Sequence, residues 1–179
     1  MVRSESREIR ALQEEAIPMT ILSLKSLQTA AAAVTIATLA HVVPAQANPF
    51  STLQGSWGGS GRVQFESGQS ESLRCTANYT ASGGGNQLGL AIRCASASNR
   101  IELRGRLVNA GGRVSGSWEE RTFNVSGTAS GRASDSNIVL RLSGAISGNM
   151  NVSVSRTRQT ISISTSSNVR SVSIGLSRR

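Results

Sequence analysis

Apolar residues occupy every second position from Trp57 onward, and clusters of Gly, Ser and Asn interrupt the alternation. In the first run, Trp57, Val63 and Phe65 share one face of the chain, while Arg62 and Gln64 share the other. Similar runs return at intervals of roughly ten residues, and a period of two is typical of strands with one buried face. The pattern predicts eight to ten short antiparallel strands. It predicts no helix after residue 47.

Regularly spaced hairpins favour an all-β fold, an antiparallel up-and-down β-barrel of 8–10 strands, with a β-sandwich as the alternative. Glycines such as Gly61, Gly116 and Gly127 lie on the inward rows. They permit the strong coiling that closure of a small barrel requires. Closure also removes exposed edge strands, which are prone to aggregation. We therefore expect residues 48–179 to form a single β-barrel domain.

The residues before this domain are typical of a secretory signal. An apolar run at 29–40 precedes Ala45–Gln46–Ala47, a small-x-small cleavage motif. The run is shorter than the roughly 20 residues that a membrane-spanning helix needs. We assign 19–47 to a signal peptide cleaved after Ala47, so the mature protein is exported, to the periplasm or outside the cell, and does not span a membrane. Residues 1–18 are rich in Glu and are interpreted as a mis-assigned leader ahead of a start at Met19; a long functional leader is the alternative.

Cys75 and Cys94 are the only cysteines of the chain. In an oxidising compartment an even number of cysteines favours a disulfide, and one pair allows one connectivity. On neighbouring strands this bridge fixes the register of a hairpin. A zinc site needs further ligands, and residues 48–179 contain no His to supply them.

The predicted mature domain is strongly basic. Its 15 Arg face only 6 acidic residues, and it contains no Lys. Such a charge favours anionic partners, and Arg binds phosphate and carboxylate groups with two parallel hydrogen bonds. A generally soluble surface is the alternative explanation of the Arg content.

Catalysis is not expected. Without His or Lys in residues 48–179 there is no ordinary base for a Ser or Cys nucleophile. Glu119 and Glu120 are adjacent, so in a strand their carboxylates point to opposite faces. No phosphate loop or dinucleotide motif is present, and we predict neither a cofactor nor a metal.

Gly55–Ser56–Trp57 at the start of the first strand, with Arg178 on the last, resembles the Gly-x-Trp motif and closing arginine of the calycins, the lipocalin and avidin barrels. The resemblance implies that Arg178 packs over Trp57 and seals one end of the barrel. Strand direction places Tyr79 at the same end. The chain is also similar to small exported proteins of Gram-negative bacteria.

Strand direction brings a second group of residues to the opposite mouth. We expect them to line a cavity for an apolar ligand, with an arginine that attracts an anionic head group: Phe65, Trp118 and Phe123 at the mouth, Ile101 and Met150 deeper, and Arg121 as the cation. Alternatively, the rings only fill the barrel, because eight strands leave an interior that side chains can occupy.

Three functions are compatible with these features. The first is a non-enzymatic exported protein that binds a small apolar or anionic molecule in the barrel. The second is an envelope or host-interaction protein whose Arg-rich surface binds anionic lipid or polysaccharide. The third is a protease inhibitor that acts through the loop at 80–86. Nucleic acid is not expected as a partner, because few aromatic residues face outward. The sequence does not predict an oligomeric state.

Overall fold

The computed structural model describes residues 48–179, so the segments predicted as leader (1–18) and signal peptide (19–47) lie outside the described residues. Within residues 48–179 the chain forms ten strands, preceded by one short helix. The helix is α1 (Pro49–Leu53), and the strands are β1 (Gly55–Phe65), β2 (Ser70–Ser82), β3 (Gln87–Ala95), β4 (Arg100–Ala110), β5 (Arg113–Glu120), β6 (Val125–Ala133), β7 (Asn137–Gly144), β8 (Gly148–Val154), β9 (Arg158–Thr165) and β10 (Val169–Arg178).

The ten strands form a closed antiparallel barrel. Each strand pairs with the next along the chain, and β1 pairs with β10, which closes the ring. The prediction of an all-β up-and-down barrel is confirmed, and the strand number lies at the upper limit of the predicted range. The alternative β-sandwich is wrong, because β1 and β10 pair along nearly their whole length, from Trp57 opposite Arg178 to Phe65 opposite Val169.

Alternate residues of the strands point into the barrel and form its core. Glycines on these inward rows let neighbouring strands approach closely. A Cβ added at Gly116 would lie 2.0 Å from the carbonyl oxygen of Arg106, and one added at Gly131 would lie 1.9 Å from that of Val139. The coiling of the wall therefore depends on positions where no side chain fits.

The helix α1 was not predicted. Asn48 caps it, since its Oδ1 accepts a hydrogen bond from the Phe50 amide at 3.1 Å, and Pro49 occupies the first turn. Phe50 and Leu53 are fully buried. The helix contacts both β2 and β8, which lie on nearly opposite sides of the ring, so it crosses the end of the barrel. A single turn is too short to show a helical period in the sequence.

We call this end of the barrel the helix end, and the other the open end. The helix end carries α1 and the connections 83–86, 111–112, 134–136 and 155–157; the open end carries the connections 66–69, 96–99, 121–124, 145–147 and 166–168. The predicted disulfide is confirmed: Cys75 and Cys94 are directly paired residues of β2 and β3, with an S–S distance of 2.07 Å.

Candidate functional site

The helix end is closed by an aromatic ring under a guanidinium group. The ring of Trp57 is fully buried, and Cζ of Arg178 lies 4.5 Å from its centroid. The indole Nε1 donates a hydrogen bond to the Leu53 carbonyl oxygen at 2.7 Å. The guanidinium donates to the carbonyl oxygens of Thr52, Gln54 and Arg156, the last two at 2.6 and 2.8 Å. These contacts tie α1 and the connection 155–157 to the last strand.

Tyr79 is buried near the same end, where it pairs across the barrel with a residue that the sequence pattern did not single out. Its hydroxyl oxygen accepts a hydrogen bond from Nε2 of Gln159 at 2.7 Å. Burial raises the pKa of Tyr79 to about 12, against the opposing effect of this hydrogen bond. Oε1 of Gln159 has no hydrogen-bond partner among the described residues. The sequence contained one signal for this pair, because Gln159 is a polar residue at an inward position of β9.

The inward rows are less buried near the open end. Toward the helix end they hold residues such as Ala77, Leu88 and Ile161, each at most 2% exposed. Toward the open end Val63, Leu73 and Cys94 are still buried. Most other inward apolar residues there are half-buried and pack on the edge of the same core: Phe65, Leu103, Leu142, Met150, Ile163, Val169 and Val172. The open end is therefore an apolar rim in contact with solvent.

The structure places only some of the predicted ligand-binding residues on inward positions near the open end. Phe65, Ile101 and Met150 are half-buried on inward positions of three different strands near the open end. Trp118 is also half-buried, and its Nε1 donates to the Thr128 carbonyl oxygen at 3.1 Å. Phe123 was expected on an inward row. Instead it lies in the turn between β5 and β6, where it is 57% exposed.

Glu120 organises that turn. Its carboxylate accepts hydrogen bonds from the backbone amides of Glu102 at 2.8 Å, Thr122 at 3.1 Å and Phe123 at 2.7 Å. Partial burial acts to raise the pKa of Glu120, but these three amides outweigh it and hold the pKa below its usual range. Glu119 is exposed and Glu120 is buried, as the prediction of opposite faces requires.

Arg121 extends to the outer wall of the barrel. Its guanidinium lies 3.5 Å from Oε1 of Glu102, an outward residue of β4. The same carboxylate oxygen contacts Arg104 at 2.8 Å and Arg93 at 3.4 Å. The hydrogen bond from Arg104, together with the nearby positive charges, lowers the pKa of Glu102. The sequence pattern predicted Arg121 at the mouth, whereas in the structure its guanidinium points away from the mouth.

A second carboxylate holds a neighbouring turn of the open end. Both carboxylate oxygens of Glu71 accept from the Ser98 hydroxyl, at 2.8 and 2.9 Å. Hydrogen bonds from the hydroxyls of Ser96 and Ser98 lower the pKa of Glu71. The carboxylates near this end therefore bind the protein's own backbone and hydroxyl groups.

The loop considered for protease inhibition lies at the helix end. Residues 80–82 belong to β2, and Gly83–Gly85 forms a single 3₁₀ turn. Gly85 is buried against α1: a Cβ added there would lie 2.5 Å from Oγ of Ser51. An inhibitory loop presents an extended segment to a protease, so this geometry gives that function no support.

The described residues hold no group of three or more His, Cys, Asp or Glu side chains that could bind a metal ion. Both cysteines are engaged in the disulfide, which leaves no free thiol in residues 48–179. No helix in the described part of the chain is long and apolar enough to cross a membrane.

No protein-family model matches this sequence, and no curated relative matches it either. Among solved structures the chain is similar to Rv2717c from M. tuberculosis, with a TM-score of 0.59 and 14% identity over 72% of this chain and 94% of that chain. It is also similar to the S-type phycobiliprotein lyase CPES from Guillardia theta (TM-score 0.49, 12% identity, 73% of this chain and 89% of that one). A third similar structure is the redesigned β-barrel mFAP1 bound to DFHBI, with a TM-score of 0.46 and 12% identity over 75% of this chain and 100% of that chain.

At 14% identity, the similarity to Rv2717c shows a shared fold and nothing further.

Proposed function

We propose that the protein binds a small apolar molecule at the open end of the barrel and does not act on it chemically. One observation carries the proposal. Near the helix end most apolar side chains of the inward rows are closed from solvent, whereas near the open end many of them, such as Phe65, Met150 and Val172, are partly exposed. Burying apolar surface contributes roughly 25 cal/mol per Å², so a ligand that covers this rim gains affinity there.

The charges at the open end favour a neutral ligand. Arg121, the cation expected at the mouth, is turned outward to Glu102. Two carboxylates at inward positions near this end are those of Glu71 and Glu120, and both have lowered pKa values. Since both are ionised at neutral pH, they repel an anionic head group. We therefore propose that the ligand is apolar, as the sequence predicted, but has no anionic head group.

The disulfide supports an exported location, in the periplasm or outside the cell, because disulfides persist in oxidising compartments. A carrier of apolar molecules fits this location, since such molecules need a protein to cross an aqueous space.

Two adjacent residues of β8 provide the test. Met150 points inward at the rim, and Asn151 points outward. We would titrate the full-length protein with N-phenyl-1-naphthylamine, a neutral probe whose fluorescence rises in apolar surroundings, and compare Met150→Lys with Asn151→Lys. A lysine at the rim is expected to weaken binding by about tenfold or more, whereas the same charge outside leaves it unchanged.

Equal binding by the two variants, or no binding by the unaltered protein, would refute the proposal. The unfolding midpoint of each variant shows whether the barrel is intact. Mass spectrometry of the protein from its own source, under native and denaturing conditions, would identify a bound molecule. A mass present only in the native spectrum is the expected result.

A further inference from the structure

The outer wall of β2–β6 carries a groove of about 800 Å³, separate from the open end. Two neighbouring outward rows line it. One row pairs Ala91 of β3 with Arg104 of β4, and the other pairs Gly89 with Arg106. We call this region the outer groove. Most of its lining residues are exposed outward positions, so it lies on the surface rather than inside the barrel.

Gly89 opens the floor of the outer groove. It lies in the interior of β3, where glycine is less favourable than alanine by roughly 0.5–1 kcal/mol. A Cβ added there would meet only the carbonyl oxygen of Thr80, at 3.9 Å. Neither a close approach of strands nor a left-handed backbone requires this glycine. Its effect is to leave space beside Arg106.

The outer groove has an excess of positive charge. Arg104 shares Glu102 with Arg93 and Arg121, and Glu119 lies opposite Arg104 on β5. Arg106 has no ion-pair partner within residues 48–179. Among the residues that line the outer groove, two guanidinium groups, Arg104 and Arg106, stand beside one carboxylate, Glu119, which leaves one positive charge. Arg106 is the one beside the open floor.

Hydroxyl and amide side chains flank this basic centre on both sides. Asn78 and Thr80 stand on β2, and Ser126 and Thr128 stand on β6. The five strands span about 19 Å at a spacing of roughly 4.8 Å, so the outer groove is elongated across them. It offers cations in the middle and neutral hydrogen-bonding groups at both ends.

We propose that the outer groove binds a short acidic oligosaccharide, with a carboxylate or sulfate of the sugar on Arg106 and the sugar hydroxyls on the flanking Ser, Thr and Asn side chains. Arg binds such anions with two parallel hydrogen bonds. A membrane surface is flat and does not enter a groove. Single-stranded nucleic acid stacks successive bases on several exposed rings, whereas Trp118 is the one aromatic residue that lines the outer groove, and it is half-buried.

Calorimetry on the full-length protein tests the proposal with two sugars of equal length, a hexamer of galacturonic acid and uncharged maltohexaose. The acidic hexamer is expected to bind about tenfold or more tightly than the neutral one, because only it has a partner for Arg106. Equal binding of the two, or no binding of the acidic hexamer, would overturn the proposal.

Matched variants locate the site. Arg106→Gln is paired with Arg62→Gln, which removes the same charge from an exposed position of β1. Gly89→Leu, which fills the floor, is paired with Gly175→Leu on β10, where an added Cβ meets nothing within 4 Å. The two groove variants are expected to weaken the acidic hexamer about tenfold, and the two controls to leave it unchanged.

Equal weakening by Arg106→Gln and Arg62→Gln would show attraction by net charge alone and would overturn the proposal. So would displacement of the hexamer by a polyglutamate peptide or by single-stranded DNA at the same affinity. Because Arg106→Gln removes no buried group, it remains informative even where Gly89→Leu disturbs folding. Binding of N-phenyl-1-naphthylamine is expected to be the same in all four variants. The two experiments therefore test the open end and the outer groove independently.

Discussion

The two ends of the barrel are built from the same ten strands and differ in what covers them. At the helix end, α1 places Phe50 and Leu53 across the opening, and Arg178 covers Trp57. At the open end, the described connections are short turns, and many of the inward apolar side chains remain partly exposed. Closing a ring of strands thus does not by itself close its ends, because a separate element has to cover each of them.

Polar groups also serve different purposes at the two ends. At the helix end they bind structure together across long sequence separations, as Arg178 does with the carbonyl of Gln54 and Gln159 does with Tyr79. At the open end Glu120 and Glu71 hold local turns. We infer that the helix end contributes most to stability and that the open end is left free for binding.

The two tryptophans of the chain provide the strongest test of this difference. Trp57→Ala removes a fully buried ring and the hydrogen bond to α1, and we expect it to reduce the free energy of unfolding by about 3–5 kcal/mol. Trp118→Ala is expected to cost no more than about 2 kcal/mol, because its ring is only partly buried. Urea unfolding measures both, and equal losses would contradict the comparison.

The disulfide is the next largest contribution. It joins β2 to β3 and closes a loop with a sequence separation of 19 residues. On the chain-entropy model such a loop stabilises the folded state by roughly 3 kcal/mol. The double variant Cys75→Ala with Cys94→Ala should lose this amount in urea unfolding, and a reducing agent should then have no further effect. A reductant that still destabilises the double variant would argue against this account.

Substitutions in the buried pair of Tyr79 and Gln159 are expected to change stability by an amount that depends on which of the two polar groups remains. Tyr79→Phe leaves the amide of Gln159 without its partner at 2.7 Å, and we expect a loss of about 2 kcal/mol. Adding Gln159→Leu to Tyr79→Phe removes both polar groups and should restore most of the loss. Thermal unfolding of the single and double variants measures this, and a double variant less stable than Tyr79→Phe would contradict it.

The smallest effect concerns the turn at the open end and its response to pH. The pKa of Glu120 is lowered in the folded state, so its stabilising contribution is present above the unfolded pKa of about 4.3 and is lost as the pH falls through the folded pKa. Glu120→Gln should cost about 1 kcal/mol at neutral pH and make acid unfolding less steep. Glu119→Gln, its exposed neighbour, is the control and should retain the steep acid response. Identical pH profiles for the two variants would count against the turn-holding role of Glu120.

The sequence predicted the parts of the molecule that depend on neighbours along a strand. The alternation of residues is enough to assign Glu119 and Glu120 to opposite faces, and the pairing of two cysteines needs only adjacent strands. Phe123 shows where this reasoning fails. A turn replaces the expected continuation of the row, since Asn124 adopts a positive φ of 52° and the chain reverses there.

The sequence by itself determined the strands, their inward and outward faces and the disulfide, because each follows from local alternation or from a single possible pairing. Tertiary structure alone decided that α1 covers one end, that Gln159 meets Tyr79, that Arg121 turns outward and that Gly89 and Arg106 share the outer groove. The first two features join residues whose proximity depends on the number of strands around the ring, and the last two depend on the exact register of neighbouring strands. A pattern that repeats every two residues contains no information about either.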